Sequence, residues 1–278
     1  MINLYQDSFI RNIGIFTATE QEQLKNSTIA VAGVGGVGGL LVERLIRLGV
    51  GNIKITDLGT FGKSNLNRQY GSSMFTLERY KAEVVYQNIK EIYPEANIYY
   101  DNNGVTSEAD AIQFIDGADL VIDEMDYGAW KESIYLQRTA RKRGIYYFFA
   151  GAIGFGALLT NFDPEGITLE EYNKIPPNED LEKLGELSVP TERILPVAPS
   201  YATSAMSMEM LQEIIAGQRP VPTCSVGVGL ASVLAAGNAI NILLKRKEIV
   251  KAPQYIYIDL LDQKFLTGSV SEPAENLK

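Results

Sequence analysis

A chain of 278 residues, 46% hydrophobic and 21% charged, is long enough to bury a full core and too apolar to remain disordered. Its 34 acidic against 25 basic residues leave a net charge of -9, which disfavours nucleic-acid backbones and anionic lipid surfaces as partners. With no histidine and one cysteine, it cannot build a Ser-His-Asp or Cys-His centre, an internal disulfide or a Cys/His structural zinc site.

Polar residues interrupt every apolar run near the N-terminus, so no secretory segment is expected and the cytoplasm is the default compartment. A short leading helix is expected from Phe16 to Lys25, with Thr19 as its N-cap. The apolar run from Thr28 to Ala32 suits a buried parallel strand, and Leu41, Leu45 and Leu48 follow at helical spacing. Further strands are expected at 52–57, 97–101, 119–123 and 145–150, alternating with helices at 76–93, 108–115 and 130–143. This alternation predicts an α/β fold, a Rossmann-like, mostly parallel sheet with helices on both faces.

From Asp163 the texture changes, and eight of the eleven prolines fall between Pro164 and Pro222. The expected organisation is a nucleotide-binding core over 1–163 and an insertion over 164–222 that shapes the substrate site. Residues 223–268 complete the same domain with antiparallel strands, and 269–278 form a flexible tail. Two helices are expected in the later part, at 201–216 and over the uncharged stretch 224–244. That stretch has the length of a membrane span, but its serines, asparagines and glycines favour a buried helix.

Gly33-Val-Gly35-Gly36-Val-Gly38 follows an expected strand and opens an expected helix, the context in which such a loop cradles a nucleotide phosphate. Asp57 ends the next strand, where an acid accepts from ribose hydroxyls. These residues alone favour a nicotinamide or flavin enzyme, the commonest use of such a fingerprint. The segment Ser64-Asn65-Leu66-Asn67-Arg68-Gln69 and Lys81 favour ATP, because a transferring phosphate needs donors and fixed positive charge. Asp126, three residues beyond Asp123 at a strand end, is a candidate Mg²⁺ ligand.

Taken together, Arg11-Asn-Ile-Gly14, the Gly33 to Gly38 loop, Asp57, Ser64 to Gln69, Lys81 and Asp123-x-x-Asp126 resemble the ThiF, MoeB and HesA family, bacterial relatives of ubiquitin-activating enzymes. The resemblance covers residues 5–163 and, more loosely, the uncharged helix and the last strands. It implies ATP over the glycine loop, Asp57 on the ribose, Asn65, Arg68 and Lys81 on the phosphates, Gln69 among the nucleotide-binding residues, and Asp126 on Mg²⁺. It also implies a homodimer in which Arg11 reaches into the partner's site. The implied reaction is attack of a carboxylate, on a protein, peptide or small molecule, at the α-phosphorus with release of pyrophosphate. A related branch, the threonylcarbamoyladenosine dehydratases, acts on a modified tRNA base and stays open as an alternative. Three features depart from the family. The paired CxxC zinc motifs are missing, so no zinc is expected; Cys224 is expected as a small packed residue rather than a nucleophile; and Gly59 stands where relatives often carry another acid.

Overall fold

The computed structural model describes residues 4–126, 128–183, 189–215, 218–219 and 221–271. The chain opens with α1 (Leu4–Phe9), a 3-10 turn (Ile10–Asn12) and α2 (Ala18–Asn26). Then β1 (Thr28–Ala32), α3 (Gly36–Arg47), β2 (Asn52–Thr56), α4 (Lys81–Ile92) and β3 (Asn97–Asp101) follow in alternation. They are continued by α5 (Glu108–Phe114), β4 (Leu120–Asp123), α6 (Trp130–Lys142), β5 (Tyr146–Ile153) and β6 (Gly156–Phe162). Short helices α7 (Leu169–Tyr172), α8 (Thr191–Ile194), α9 (Ala202–Ala205) and α10 (Met208–Ile215) lead to α11 (Ser225–Leu244), β7 (Gln254–Asp259) and β8 (Lys264–Ser269).

All eight strands join one sheet in the order β3-β2-β1-β4-β5-β6-β7-β8. The five from β3 to β5 are parallel, and β6, β7 and β8 are antiparallel to their neighbours. Strand β1 is read apolar at every inward position because helices cover both faces. Apolar side chains of α2, α3, α4 and α11 fill one face, around Leu41, Leu45, Val85 and Ala239. Those of α5, α6 and α7 fill the other, around Phe114, Leu136 and Tyr172. The chain leaves β1 toward β2 on one side, while β4 lies on the other. The sheet therefore has its topological switch point between the C-terminal ends of β1 and β4, the place where open α/β sheets bind ligands.

Four expectations need correction. The N-cap of α2 is Thr17, not Thr19: Thr17 and Glu20 form a reciprocal capping box, and Glu20 is further held by Arg246. The helix expected from Thr76 starts only at Lys81, because Phe61 exchanges backbone hydrogen bonds with Glu78 and Arg79 and holds 76–80 out of helical conformation. The helix expected at 201–216 is two, α9 and α10, with Met206 extended between them; Ala216 lies outside the described residues. The strand expected at 145–150 continues to Ile153, so the glycine-rich stretch 150–162 is the end of β5 and all of β6. Of the tail expected from 269, residues 272–278 lie outside the described residues.

Helix α11 is long and apolar enough to cross a membrane by length and composition, with half of the tested window buried inside the protein. It lies against α3, β5 and β6. Its Asn238 amide donates to Asn161 Oδ1 of β6 at 2.6 Å, and Asn161 donates to the Val250 carbonyl at 2.8 Å. A polar pair so placed joins helix to sheet in the interior, where unpaired amides would be costly.

Candidate active site

The glycine loop crosses the switch point and turns into α3. Gly33 has φ +88°, and a Cβ there would lie 2.4 Å from the Glu124 carbonyl oxygen. A Cβ on Gly38 would lie 2.0 Å from the Gly33 carbonyl oxygen. The loop can therefore fold this tightly against the end of β4 only without side chains. Gly35 caps α3 with no side-chain hydrogen bond, which leaves the helix-start N–H groups to an anion.

Asp57 sits directly past β2. Its Oδ2 accepts from the Val34 N–H at 2.9 Å and its Oδ1 from the Gly59 N–H at 2.8 Å. The carboxylate thus ties the glycine loop to the segment leading toward α4. Lys81 is the first residue of α4; its N–H donates to the Gly59 carbonyl at 3.0 Å, and its ammonium lies over Gly59 beside Asp57.

The 63–69 segment folds over the loop from the other side. Asn65 Oδ1 accepts from the Gly62 N–H at 2.8 Å and shapes the 3-10 turn Lys63–Asn65. The Arg68 side chain passes Gly36, its Cγ 3.9 Å from where a Cβ would stand, and Nη1 donates to the Ser64 carbonyl and to Asn67 Oδ1. Gln69 Nε2 would be 3.5 Å from a Cβ on Gly35, and Gln69 Oε1 is buried with no hydrogen-bond partner. An orphaned acceptor beside a bare glycine cradle is what a donor-rich ligand would satisfy.

Asp126 is exposed at the crest of the loop after β4. Among the described residues no group of three or more His, Cys, Asp or Glu could hold a metal ion. A lone exposed carboxylate suits Mg²⁺, which binds through one or two carboxylates and shares its remaining positions with phosphates and water.

Glycine loop, Asp57, Lys81, Asn65, Arg68 and Gln69 are thus brought to one edge of the sheet, and Asp126 follows β4 at that edge. Arg11 is not. Its neighbour Asn12 donates to the Leu48 carbonyl, at the far end of α3, roughly 18 Å of helix from the glycine loop. Arg11 is exposed there and cannot serve the site of its own chain.

Two acids of this edge escaped sequence reasoning as neighbours of the loop. Asp123 is buried, and Glu124 stacks behind Gly33 and Gly38 with its Oε1 3.3 Å from the Ala150 N–H. Burial raises both carboxyls, and Glu124 rises further because Asp123 stands beside it. The signal available was an acid immediately past an apolar strand, but Asp126 occupied the same pattern.

The 164–222 segment reaches the β5–β6 turn through Tyr201. The Tyr201 hydroxyl donates to Asp259 Oδ2 at 2.9 Å and accepts from the Phe155 N–H at 2.6 Å; burial pushes that hydroxyl up to about 12, so it remains a donor. Thr223 bridges to Gly154, and its carbonyl accepts from Asn67 Nδ2 at 3.0 Å, which links this turn to the 63–69 segment. Cys224 caps α11 and directs its thiol to the Gly154 carbonyl at 3.1 Å.

Residues 9–278 match the model of the ThiF family. The chain belongs to that family. It is 24% identical over 260 residues to the tRNA threonylcarbamoyladenosine dehydratase of Haemophilus influenzae, a match covering 88% of this chain and 97% of that protein. The enzyme of the same name from Bacillus subtilis is 38% identical over 124 residues, 45% of this chain and 48% of that protein. The chain therefore spans about half the length of the Bacillus relative. A probable molybdopterin-synthase adenylyltransferase from Porphyra purpurea is 25% identical, covering 92% of this chain and 64% of that protein. Among solved structures, Escherichia coli MccB with ATP superposes with a TM-score of 0.67 at 18% identity, covering 97% of this chain and 72% of that chain. This ThiF-family chain thus shares its mixed α/β fold with MccB.

Proposed function

We propose that this ThiF-family chain is an ATP-dependent adenylyltransferase that converts a substrate carboxylate to an acyl adenylate. The observation that carries the reading is the convergence of Arg68 and Lys81 on the two flanks of the glycine loop, with Asp57 tied into that loop. ATP would lie over Gly35 and Gly36, its ribose toward Asp57 and its phosphates toward Asn65, Arg68, Gln69 and Lys81. A carboxylate oxygen attacks the α-phosphorus, the bond from the α-phosphorus to the bridging oxygen breaks, and pyrophosphate leaves. The carboxylate is ionised at neutral pH, so no general base is required and the absence of histidine is no obstacle. Arg68 and Lys81 neutralise charge as it builds on the phosphates. Asp126 would hold Mg²⁺ jointly with them, and the metal would supply further charge neutralisation.

The reading includes a homodimer. Arg11 is exposed and out of reach of its own site, and Leu4, Ile10, Ile13 and Ile15 beside it are exposed apolar side chains. A second copy that covers them would bring Arg11 to its neighbour's phosphates. The 164–222 segment, latched by Tyr201, would shape the acceptor pocket, and the use of ATP places the reaction in the cytoplasm.

The acceptor reading has two branches. The likeness to MccB suits a peptide carboxylate, since solved MccB structures contain MccA. The full-length likeness to the Haemophilus dehydratase suits the carboxylate of a threonylcarbamoyl group on tRNA, with cyclising loss of water after activation. The net charge of -9 favours the first branch, because tRNA binding draws on basic surface.

Exchange of radiolabelled pyrophosphate into ATP tests the reading. Exchange that depends on an added carboxylate and collapses in Arg68→Ala supports it; carboxylate-independent ATP turnover, or none with any carboxylate or modified tRNA, rejects it.

A further inference from the structure

Strands β4 and β5 run in parallel register, with Val121 opposite Tyr147 and Asp123 opposite Phe149. In this register the Tyr147 ring is fully buried beneath the end of β4, edge-on to Phe162 with centroids 5.7 Å apart. Its hydroxyl donates to Asp123 Oδ2 at 2.5 Å. Ser133 of α6 stands beside the same two groups. Asp123 Oδ1 in turn accepts the Met125 N–H at 3.0 Å. At the far end of the loop, the Asp126 carbonyl accepts the Ala129 N–H at 3.1 Å. The backbone that carries Asp126 is therefore pinned at its start by a buried carboxylate and at its end by a turn.

The buried carboxylate is itself held from below. Its backbone partner, Met125, belongs to the loop, whereas Tyr147 belongs to a central strand and has no freedom of its own. We propose that Tyr147 is a positioning residue: through Asp123 its hydroxyl sets the place of Asp126, and so the affinity with which the site takes Mg²⁺ together with ATP. This rests on the reading of Asp126 as the acid that holds Mg²⁺. Mg²⁺ demands near-ideal octahedral geometry at short distances, so a small shift of a carboxylate on a loop is felt as lost affinity. Tyr147 is buried away from solvent. The deletion of one oxygen atom there leaves the phosphate-facing side chains in place.

The single tryptophan of the chain, Trp130, begins α6 four residues beyond Asp126 and gives a native fluorescence report on this loop. Mg²⁺ is titrated into the full-length protein at saturating ATP, and ATP is titrated without metal, with Trp130 emission and calorimetry as readouts. In Tyr147→Phe the Mg²⁺ midpoint is expected to rise about tenfold, the size typical when a group supporting a metal ligand is removed. Metal-free ATP affinity is expected to stay at its original value, which a general loss of structure would not permit. Asp126→Asn raises the midpoint too, and adding Tyr147→Phe to it raises it no further. An unchanged midpoint in Tyr147→Phe beside a raised one in Asp126→Asn overturns the positioning role and leaves the metal reading intact. An unchanged midpoint in Asp126→Asn overturns both. If Tyr147→Phe does not fold, Ser133→Ala trims the same carboxylate from the α6 side and is judged by the same outcomes.

Discussion

The Asp57 carboxylate and the Lys81 ammonium meet over one bare backbone position, Gly59. A Cβ there would stand 3.1 Å from Asp57 Oδ1 and 3.2 Å from Lys81 Nζ. Asp57 accepts from the Gly59 N–H, and the Gly59 carbonyl accepts from the Lys81 N–H. One glycine therefore couples the acid assigned to the ribose with the cation assigned to the phosphates.

Arg68→Ala and Lys81→Ala are each expected to lower pyrophosphate exchange about 10²–10³-fold, the scale on which a donor aimed at developing charge acts. Both side chains are partly exposed, so circular dichroism should match the parent protein. Exchange within a few-fold of the parent in both variants would remove the phosphate assignment.

Two glycines give opposite outcomes on substitution by alanine. Gly38→Ala drives a Cβ to 2.0 Å from the Gly33 carbonyl, backbone against backbone, and is expected to cost about 2 kcal/mol or more along with ATP binding. Gly229→Ala lies inside α11 with nothing within 4 Å and is expected to stabilise by about 0.5–1 kcal/mol. Denaturant midpoints compare the two directly.

Cys224→Ala is expected to retain pyrophosphate exchange. Its thiol is turned to the Gly154 carbonyl and forms part of the joint between α11 and the β5–β6 turn. Intact-mass spectrometry after incubation with ATP and an activated carboxylate should show no acyl adduct on this residue; an adduct would establish a thioester step.

The hydrogen bonds from Arg246 push the Glu20 carboxyl down to about 2 in the folded chain. Because the folded value lies below the ordinary 4.5, the pair's contribution is present above that ordinary value and is lost as pH falls toward 2. Arg246→Ala is expected to return the Glu20 midpoint toward 4.5, read by carboxyl NMR, and to flatten the acid limb of the stability curve.

The order of strands and helices was legible because it is written in local periodicity, and the glycine loop because its turn requires residues without side chains. The start of α4 was not, since the segment before Lys81 is held in a turn by Phe61, a partner some twenty residues upstream. Nor was the choice between Thr17 and Thr19, each followed three residues later by a glutamate. Arg246, from beyond α11, selects Glu20 and with it Thr17.

By itself, then, the chain's own pattern determined the α/β alternation, the nucleotide-type loop and the set of cations and acids available to it. Only the tertiary structure decided that α11 packs on α3, β5 and β6, that Arg11 stands a helix length from its own glycine loop, and that Tyr147 reaches Asp123 from the neighbouring strand. The reason is range. Propensity and spacing act over a few residues, whereas strand register and helix packing join residues tens to hundreds of positions apart, and no short window of sequence contains both partners.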